Sequence, residues 1–247
     1  MIGRRALLLG GAGALLTGCD RLDRSESFRG VLRSAEGLTM RAQRLITDRQ
    51  ALAREYDAAD MSPIFRANGN ILPAGPEYQA HAAARFADWR LAVDGLVRTP
   101  LSLSLAQIRT MPRRSQITRH DCVEGWSAIG KWTGVPLSLL LDQAGLHHDA
   151  RYIVFHCADR FGARPYYESI DLIDAYHPQT ILAWAMNDAL LPIPHGAPLR
   201  LRVERQLGYK HAKYVMRIEA RATLDGLYGG RGGYWEDSND YEWYGGI

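Results

Sequence analysis

Apolar and polar positions alternate through the middle of the chain. In "ADWRLAVDG" Trp89, Leu91 and Val93 fall on one side, a period of two that predicts a half-buried strand ending at Asp94-Gly95. "LSLAQIRTMP" predicts a short helix capped by Ser104 or Ser102 and stopped by Pro112, and "RSQITRHDC" a strand that delivers Cys122 to its end. Pro136 fits the first turn of a helix over "PLSLLLDQAG", with Gly145 ending it. "RYIVFHCAD" reads as a buried strand ending near Cys157, "SIDLIDAYHP" as a short helix capped by Ser169, and "TILAWAMNDALLP" as a strand followed by an Asn-Asp turn. "APLRLRVE" and "AKYVMRIEAR" alternate strictly and predict a hairpin-like pair joined by "RQLGYKH", with Arg200 and Arg202 on one face and Leu199, Leu201 and Val203 on the other. "SPIFRANGNILPAGP" reads as loop and the tail "GGRGGYWEDSNDYEWYGGI" as an irregular flap. Strands and helices without regular βαβ order predict an α+β fold with mixed sheets.

The N-terminal part follows other rules. "MIGRRALLLGGAGALLTGCD" places Arg4 and Arg5 before an apolar run, Ala6 to Leu16, that is too short to span a bilayer as a helix. It reads as a twin-arginine export signal. Leu16-Thr17-Gly18-Cys19 resembles a lipobox, which makes Cys19 the lipidated first residue, and the following Asp20 resembles a signal for retention on the inner membrane. Residues 20–58 form a charged arm of one or two helices in which Phe28, Val31, Leu32 and Ala35 share a face and Gly37 interrupts. The expected organisation is therefore a signal over 1–19, the arm over 20–58 and one catalytic domain over 59–247.

Composition narrows the function classes. Thirty Lys and Arg against 27 Asp and Glu leave +3, and no recognition-helix pattern or long basic run argues for nucleic acid. Beyond the signal only Cys122 and Cys157 remain. In an oxidising compartment the plain reading of two such cysteines is a disulfide. Cys122 could also be a nucleophile with His120 as base, although no acyl-transfer signature surrounds it. A structural zinc site wants a closely spaced cysteine pair, which is missing. A single soft thiolate suffices as the protein ligand of a redox metal held mainly by an organic cofactor. A second loaded region contains His195, Arg200, Arg202, Arg205, Lys210, His211 and Lys213, either a site for a buried phosphate or a solvated basic edge.

"HDCVEGWSAIGKWTGVPLSLLL" resembles the cysteine segment of the molybdopterin domain of the sulfite oxidase family, in the type of the periplasmic protein-methionine-sulfoxide reductases. "HGAPLRLRVERQLGYKHAKYVMRIE" is similar to that family's second segment, "FADWRLAVDGLV" to its opening strand and "YESIDLIDAYHPQTIL" to its connecting segment, so that the resemblance spans about residues 60–222. It implies a mono-pyranopterin molybdenum cofactor with Cys122 as the metal ligand and Arg200 and Lys213 on the pterin phosphate. It places Asn68, Cys157, His195, His211 and Ala212 at cofactor-contacting positions, and His120 and Glu124 beside the reacting centre. Cys157 stands where these reductases carry Thr, and His195 and His211 where they carry Asn and Gly. A thiol committed to metal argues against a Cys122–Cys157 disulfide. The implied activity is two-electron oxygen-atom transfer on a small or side-chain substrate, of sulfoxide or sulfite type. The chain has no Cys-x-x-Cys-His motif, so the electrons are expected to pass to or from a separate haem protein. The expected location is the periplasmic face of the inner membrane, with the lipid anchor at Cys19. The competing readings are a non-catalytic binding module that keeps the fold and a true sulfite dehydrogenase.

Overall fold

A computed structural model describes residues 25–247 in two compact units, one ending at Asp48 and the other spanning Arg49–Ile247. Arg4, Arg5, Cys19 and Asp20, and with them the signal and lipobox, lie outside the described residues.

The described part of the first unit contains the helix α1 (Glu26–Ile46), whose N-terminal turn is capped by Ser25 accepting from the Phe28 amide. Gly37 does not interrupt it. One helical Gly costs about 1 kcal/mol, and good helix formers on both sides carry the chain through it. Val31, Leu38, Leu45 and Ile46 stand exposed along α1. Among the described residues no helix is long and apolar enough to cross a membrane.

The second unit is built on two sheets, one mixed and one wholly antiparallel. In the first, β1 (Arg90–Gly95) lies between β2 (Leu101–Ser104) and β10 (Val215–Arg221), and β10 continues to β5 (Tyr152–Phe161) and β6 (Arg164–Asp171). Only the β1–β10 pairing is parallel. In the second sheet β3 (Arg114–Asp121) pairs with β4 (Ser127–Pro136) and β4 with β7 (Ile181–Met186). The other edge of β7 is shared by β8 (Ala189–Leu190) and β9 (Arg200–Arg202). Helices α2 (Pro76–Ala83), α3 (Leu105–Thr110), α4 (Leu137–Ala144), α5 (Leu172–Ala175) and α6 (Tyr234–Asn239) connect and flank them. The main core joins Trp89, just before β1, and Leu91 and Val93 of β1 to Leu137, Leu140 and Leu141 of α4 and to Leu199, Leu201, Val215 and Ile218, all fully buried.

Several local expectations hold. Ser104 caps α3 with a capping box to Gln107, Gly145 ends α4 in the left-handed region at φ 67°, and Asn187-Asp188 turns β7 into β8 with φ of 50° and 63°. Others are corrected. Pro136 is the last residue of β4 and caps α4 from outside rather than sitting in its first turn. Ser169 lies inside β6, and the cap of α5 is Asp171, whose carboxylate accepts from the Asp174 amide. Strand β5 runs past Cys157 to Phe161 through a register shift between His156 and Arg160. The tail is no irregular flap: it forms α6 and a bridge from Gly246 to Gln206.

The largest correction concerns the two alternating segments. They do not pair: β9 joins β7 in the second sheet and β10 lies inside the first. Residues 203–214 therefore cross from one sheet to the other. The ends stay tied, since the Val215 amide donates to Leu199 O and the Leu201 amide to Ala212 O. Alternation marks faces; it does not name a partner when both faces of a strand are buried.

Candidate active site

Cys122 is the first residue after β3. Its amide donates to Trp126 O at 2.9 Å and its carbonyl accepts from Gly125 N at 3.0 Å, which closes a tight turn that Gly125 completes at φ 83°. Asp121 pins the base of the turn by accepting from Arg119 Nε and Ser127 Oγ. The thiol opens onto a cavity of about 220 Å³.

Residues from seven separate stretches line that cavity. Asn68 and Asn70 come from the loop before α2, His120, Cys122 and Glu124 from the β3 turn, and Asp159 from β5. Arg200, His211 and Lys213 come from β9 and the crossing segment. Phe161, Tyr166, Tyr209, Trp235 and Tyr241 form an aromatic wall, with rings of Trp235 and Tyr241 stacked at 5.8 Å. Burial grades the space: Arg200, His120 and His211 lie at its buried end, while Val123 and Glu124 are exposed at its mouth.

Among the described residues the Cys122 thiol has one close polar neighbour. Asn68 Nδ2 donates to Cys122 Sγ at 3.0 Å, and Asn68 Oδ1 accepts from the Gly69 amide at 2.8 Å, which sets the amide with its NH2 group toward sulfur. Lys213 Nζ donates to three backbone oxygens, those of Asn68, Asn70 and Pro194. Burial first, and Arg200 second, lower its pKa to about 7.

Arg200 is the least compensated charge here. Its Nη1 donates to His195 O at 3.2 Å, its buried Nε has no partner among the described residues, and its guanidinium lies 5.3 Å from the Trp132 ring centre. Burial, then the neighbouring Arg202, drop its pKa to about 9. Arg202 is spoken for: Glu204 takes two of its donors and His120 Nδ1 a third at 3.0 Å. That donation leaves Nδ1 of His120 as acceptor and its proton on Nε2. Burial, Arg202 and Arg200 hold His120 well below the usual histidine range, and burial and the same arginines hold His211 there. His211 donates from Nε2 to Gln206 O and leaves a buried Nδ1 without a partner among the described residues.

The basic segment read in the sequence is thus divided. Arg205 pairs with Asp174, Arg202 with Glu204, and Lys210 sits between Glu168 and Glu236. None of this is a solvated edge: Arg200, Arg202, Lys210 and Lys213 are all buried. Of the remaining sequence-derived residues, Glu124 reaches the mouth and accepts from Trp126 Nε1 at 3.3 Å. Cys157, His195 and Ala212 lie outside the lining. His195 packs edge-on against Phe65, Ala212 is fully buried, and both cysteines are free thiols. Burial pushes Cys157 well above the usual thiol range. Asn70, Asp159 and the aromatic wall escaped the sequence reading. The Asn-Gly-Asn of the loop was a signal for Asn70 alone.

A cofactor with a phosphate arm and a metal-binding end needs a soft ligand at one place and an unspent cation at another. Cys122 supplies the first, and Arg200, with its orphaned buried Nε, the second; the cavity joins them, so the residues present fit the group. Among the described residues no group of three or more His, Cys, Asp or Glu could hold a metal by itself.

Residues 78–226 match the family model described as the oxidoreductase molybdopterin binding domain. The chain is 38% identical over 98% of its length, and 86% of the relative's, to the protein named "Putative protein-methionine-sulfoxide reductase subunit YedZ1" of Azospira oryzae. It is 35% identical to the protein-methionine-sulfoxide reductase catalytic subunit MsrP of Ralstonia nicotianae, over 53% of this chain and 43% of that one. Among solved structures it is similar to the sulfane dehydrogenase SoxCD of Paracoccus pantotrophus, with a TM-score of 0.51 and 25% identity over 56% of this chain and 39% of that one. The chain belongs to the molybdopterin-binding oxidoreductases of the sulfite oxidase family, and its cofactor is the molybdenum cofactor.

Proposed function

We propose that this chain is the catalytic component of a sulfoxide reductase that takes its electrons from a separate haem protein. One observation carries the choice of substrate. The mouth of the cavity offers aromatic rings and the Glu124 carboxylate, while Arg200 lies at the buried end and Lys213 is spent on three carbonyls. An anion such as sulfite gains no cation at such a mouth. A neutral sulfoxide with an S-methyl group fits it, since thioether carbons and sulfur pack well on aromatic edges. The names of the relatives from Azospira oryzae and Ralstonia nicotianae support the same substrate class.

In this reading Cys122 is the metal ligand and Arg200 holds the phosphate arm. Asn68 donates to the ligating sulfur, His211 presents its free Nδ1 to the pterin, and Cys157, His195 and Ala212 support the lining from behind. When bound, the molybdenum cofactor supplies the two-electron centre at which an oxygen atom is exchanged with the substrate. The chain's residues do the rest. The aromatic wall of Phe161, Tyr166 and Trp235 excludes water and orients the S-methyl group. Reducing a sulfoxide to a thioether consumes two electrons and two protons and releases water. Glu124, exposed beside the thiol, relays protons from solvent, and His120 holds one on Nε2 at the buried end, where a Cβ on Gly208 would come within 2.6 Å of that nitrogen.

In the same proposal the chain works at the periplasmic face of the inner membrane, exported through the twin-arginine signal and anchored by lipid at Cys19. The apolar run after Arg4 and Arg5, and the exposed apolar residues of α1, support that location. Cys19→Ala then releases the protein from the membrane fraction; retention after a high-salt wash counts against the anchor.

The deciding experiment supplies cofactor-loaded protein with a reduced dye and either free or protein-bound methionine sulfoxide, and separately with sulfite and an oxidised acceptor. Dye oxidation that depends on sulfoxide is expected. Turnover with sulfite alone would make the chain a sulfite dehydrogenase, and turnover with neither would leave a binding module.

A further inference from the structure

We propose that Lys213 is a positioning residue: its ammonium fastens the Asn68–Asn70 loop over the cavity and thereby holds the Asn68 amide on the Cys122 thiol. The resemblance implies a phosphate ligand at this position, and the geometry gives the side chain other work. An ammonium has three donors. Here all three are used, on Asn68 O at 2.6 Å, Asn70 O at 2.5 Å and Pro194 O at 3.0 Å. These carbonyls belong to two stretches distant in sequence, so a single charge stitches the loop before α2 to the turn before β9.

The surroundings are shaped for this stitch. Gly196, at φ 111°, lies so close to the lysine stem that a Cβ there would come within 2.9 Å of Lys213 Cβ. Tyr214 occupies the left-handed region at φ 54°, a costly conformation for an aromatic residue. It is held there by its hydroxyl, which donates to Asn70 O at 2.8 Å, and by edge-on packing against Tyr78 at 5.4 Å. Asn70 Nδ2 then donates to Arg160 O at 2.9 Å and closes the far side of the loop. Everything that grips the loop leads back to one polar contact, Asn68 Nδ2 on Cys122 Sγ at 3.0 Å. Hydrogen bonds to a ligating sulfur withdraw electron density and raise the potential of the metal it binds. The lysine thus acts on the metal centre at one remove, through the loop.

The inference concerns the same cavity as the cofactor reading, but its first test is read in cofactor-free protein, so the two can fail separately. The full chain is produced in a host unable to make the cofactor. Hydrogen exchange is followed at the Gly69 amide and its neighbours, and labelling of Cys122 by a neutral thiol reagent is followed by mass spectrometry. Lys213→Met should speed exchange in the loop about tenfold or more, since charge-assisted bonds that close it are gone, and should speed Cys122 labelling. Unchanged exchange and labelling in that variant would overturn the latch and return Lys213 to a phosphate role. Should Lys213→Met fail to fold, Tyr214→Phe removes one hydrogen bond to the same Asn70 carbonyl and should give a smaller increase of the same kind. No increase there would equally count against the latch. In loaded protein, Lys213→Met and Asn68→Ala should lower the molybdenum reduction potential in the same direction, as read by potentiometric titration of its paramagnetic signal. A role in fold stability alone would leave that potential unmoved.

Discussion

Arg200 and Lys210 are both basic, both buried and close in sequence, yet they are solved in opposite ways. Lys210 Nζ lies between Glu168 and Glu236, with Glu236 Oε1 at 2.8 Å. Burial alone would lower its pKa, but the two carboxylates outweigh that and raise it. Among the described residues Arg200 has no carboxylate in contact, and burial and Arg202 together pull it down to about 9. Taking a charge out of water costs several kcal/mol unless an opposite charge and good hydrogen bonds offset it. Where the offset lies within the chain, the charge is structural. Where it is missing, the partner must come from outside. The Lys210 cluster ties β6, the Gly208–Lys210 turn and α6 together, so Tyr209, His211 and Trp235 are held as walls of the cavity. In the proposed reading the anion that meets Arg200 is the cofactor phosphate, held inside those walls.

The two thiols show the same contrast, with the largest expected effect. Cys122→Ser should abolish turnover and leave the melting temperature nearly unchanged, whereas Cys157→Ser, outside the cavity lining, should be far milder. Equal loss in both would contradict the assignment. Next in size is Lys210→Met. Removing one partner of a buried ion pair costs about 3–5 kcal/mol, and here it strands two carboxylates. Burial and then the facing Glu236 already push Glu168 well above the usual carboxylate range. Denaturant unfolding measures the loss, and adding Glu168→Gln and Glu236→Gln to the same variant should recover part of it. A single Lys210→Met variant as stable as the parent would break the contrast with Arg200.

The cavity should also make the cofactor-free chain acid-sensitive. Burial, then Arg200 and Lys213, hold His195 at about 4, and His211 is held well below its usual range. The unfolded chain takes up protons at these histidines near pH 6.5 and the folded chain does not, so stability falls as pH drops below 6.5. Asp159 opposes this. Burial raises it to about 6, so the folded chain takes up its proton first, and between about 6 and its ordinary value of 3.8 acid favours the fold at that site. Melting temperature against pH should therefore fall from about 6.5 downward, because several depressed histidines outweigh the single opposing carboxyl of Asp159. A flat profile there would contradict the assigned environments. The smallest effect belongs to the surface: Arg119→Ala removes a half-exposed pair with Asp121 and should cost no more than about 1 kcal/mol in unfolding experiments.

What the sequence made legible were features with local causes. The alternation of Trp89, Leu91 and Val93, the Ser104 cap, the left-handed Gly145 and the delivery of Cys122 by β3 all depend on neighbours within a few positions. The partners of the basic residues do not. Lys210 finds Glu168 and Glu236 across sequence separations of 42 and 26, and Lys213 reaches Asn68 across 145. A run of cations looks alike whether each is neutralised or not. Only the crossing of residues 203–214 between the sheets decides which of them meets a carboxylate, a carbonyl or an open cavity. The aromatic wall was hidden for the same reason, since Phe161, Tyr166 and Trp235 come from two strands and the tail and gather only when α6 packs onto β6.

The account stands most directly on the molybdenum and pterin content of Arg200→Met, measured at limiting cofactor beside the parent and with unfolding curves of both in cofactor-free form. Loss of one charge-assisted contact to a phosphate is worth about 1.5–3 kcal/mol. The account therefore predicts a roughly ten- to hundredfold weaker hold on the cofactor, with a cofactor-free fold no less stable than the parent, since an uncompensated buried charge has been removed. Full occupancy in Arg200→Met under those conditions, or an unfolding penalty as large as that of Lys210→Met, would contradict it.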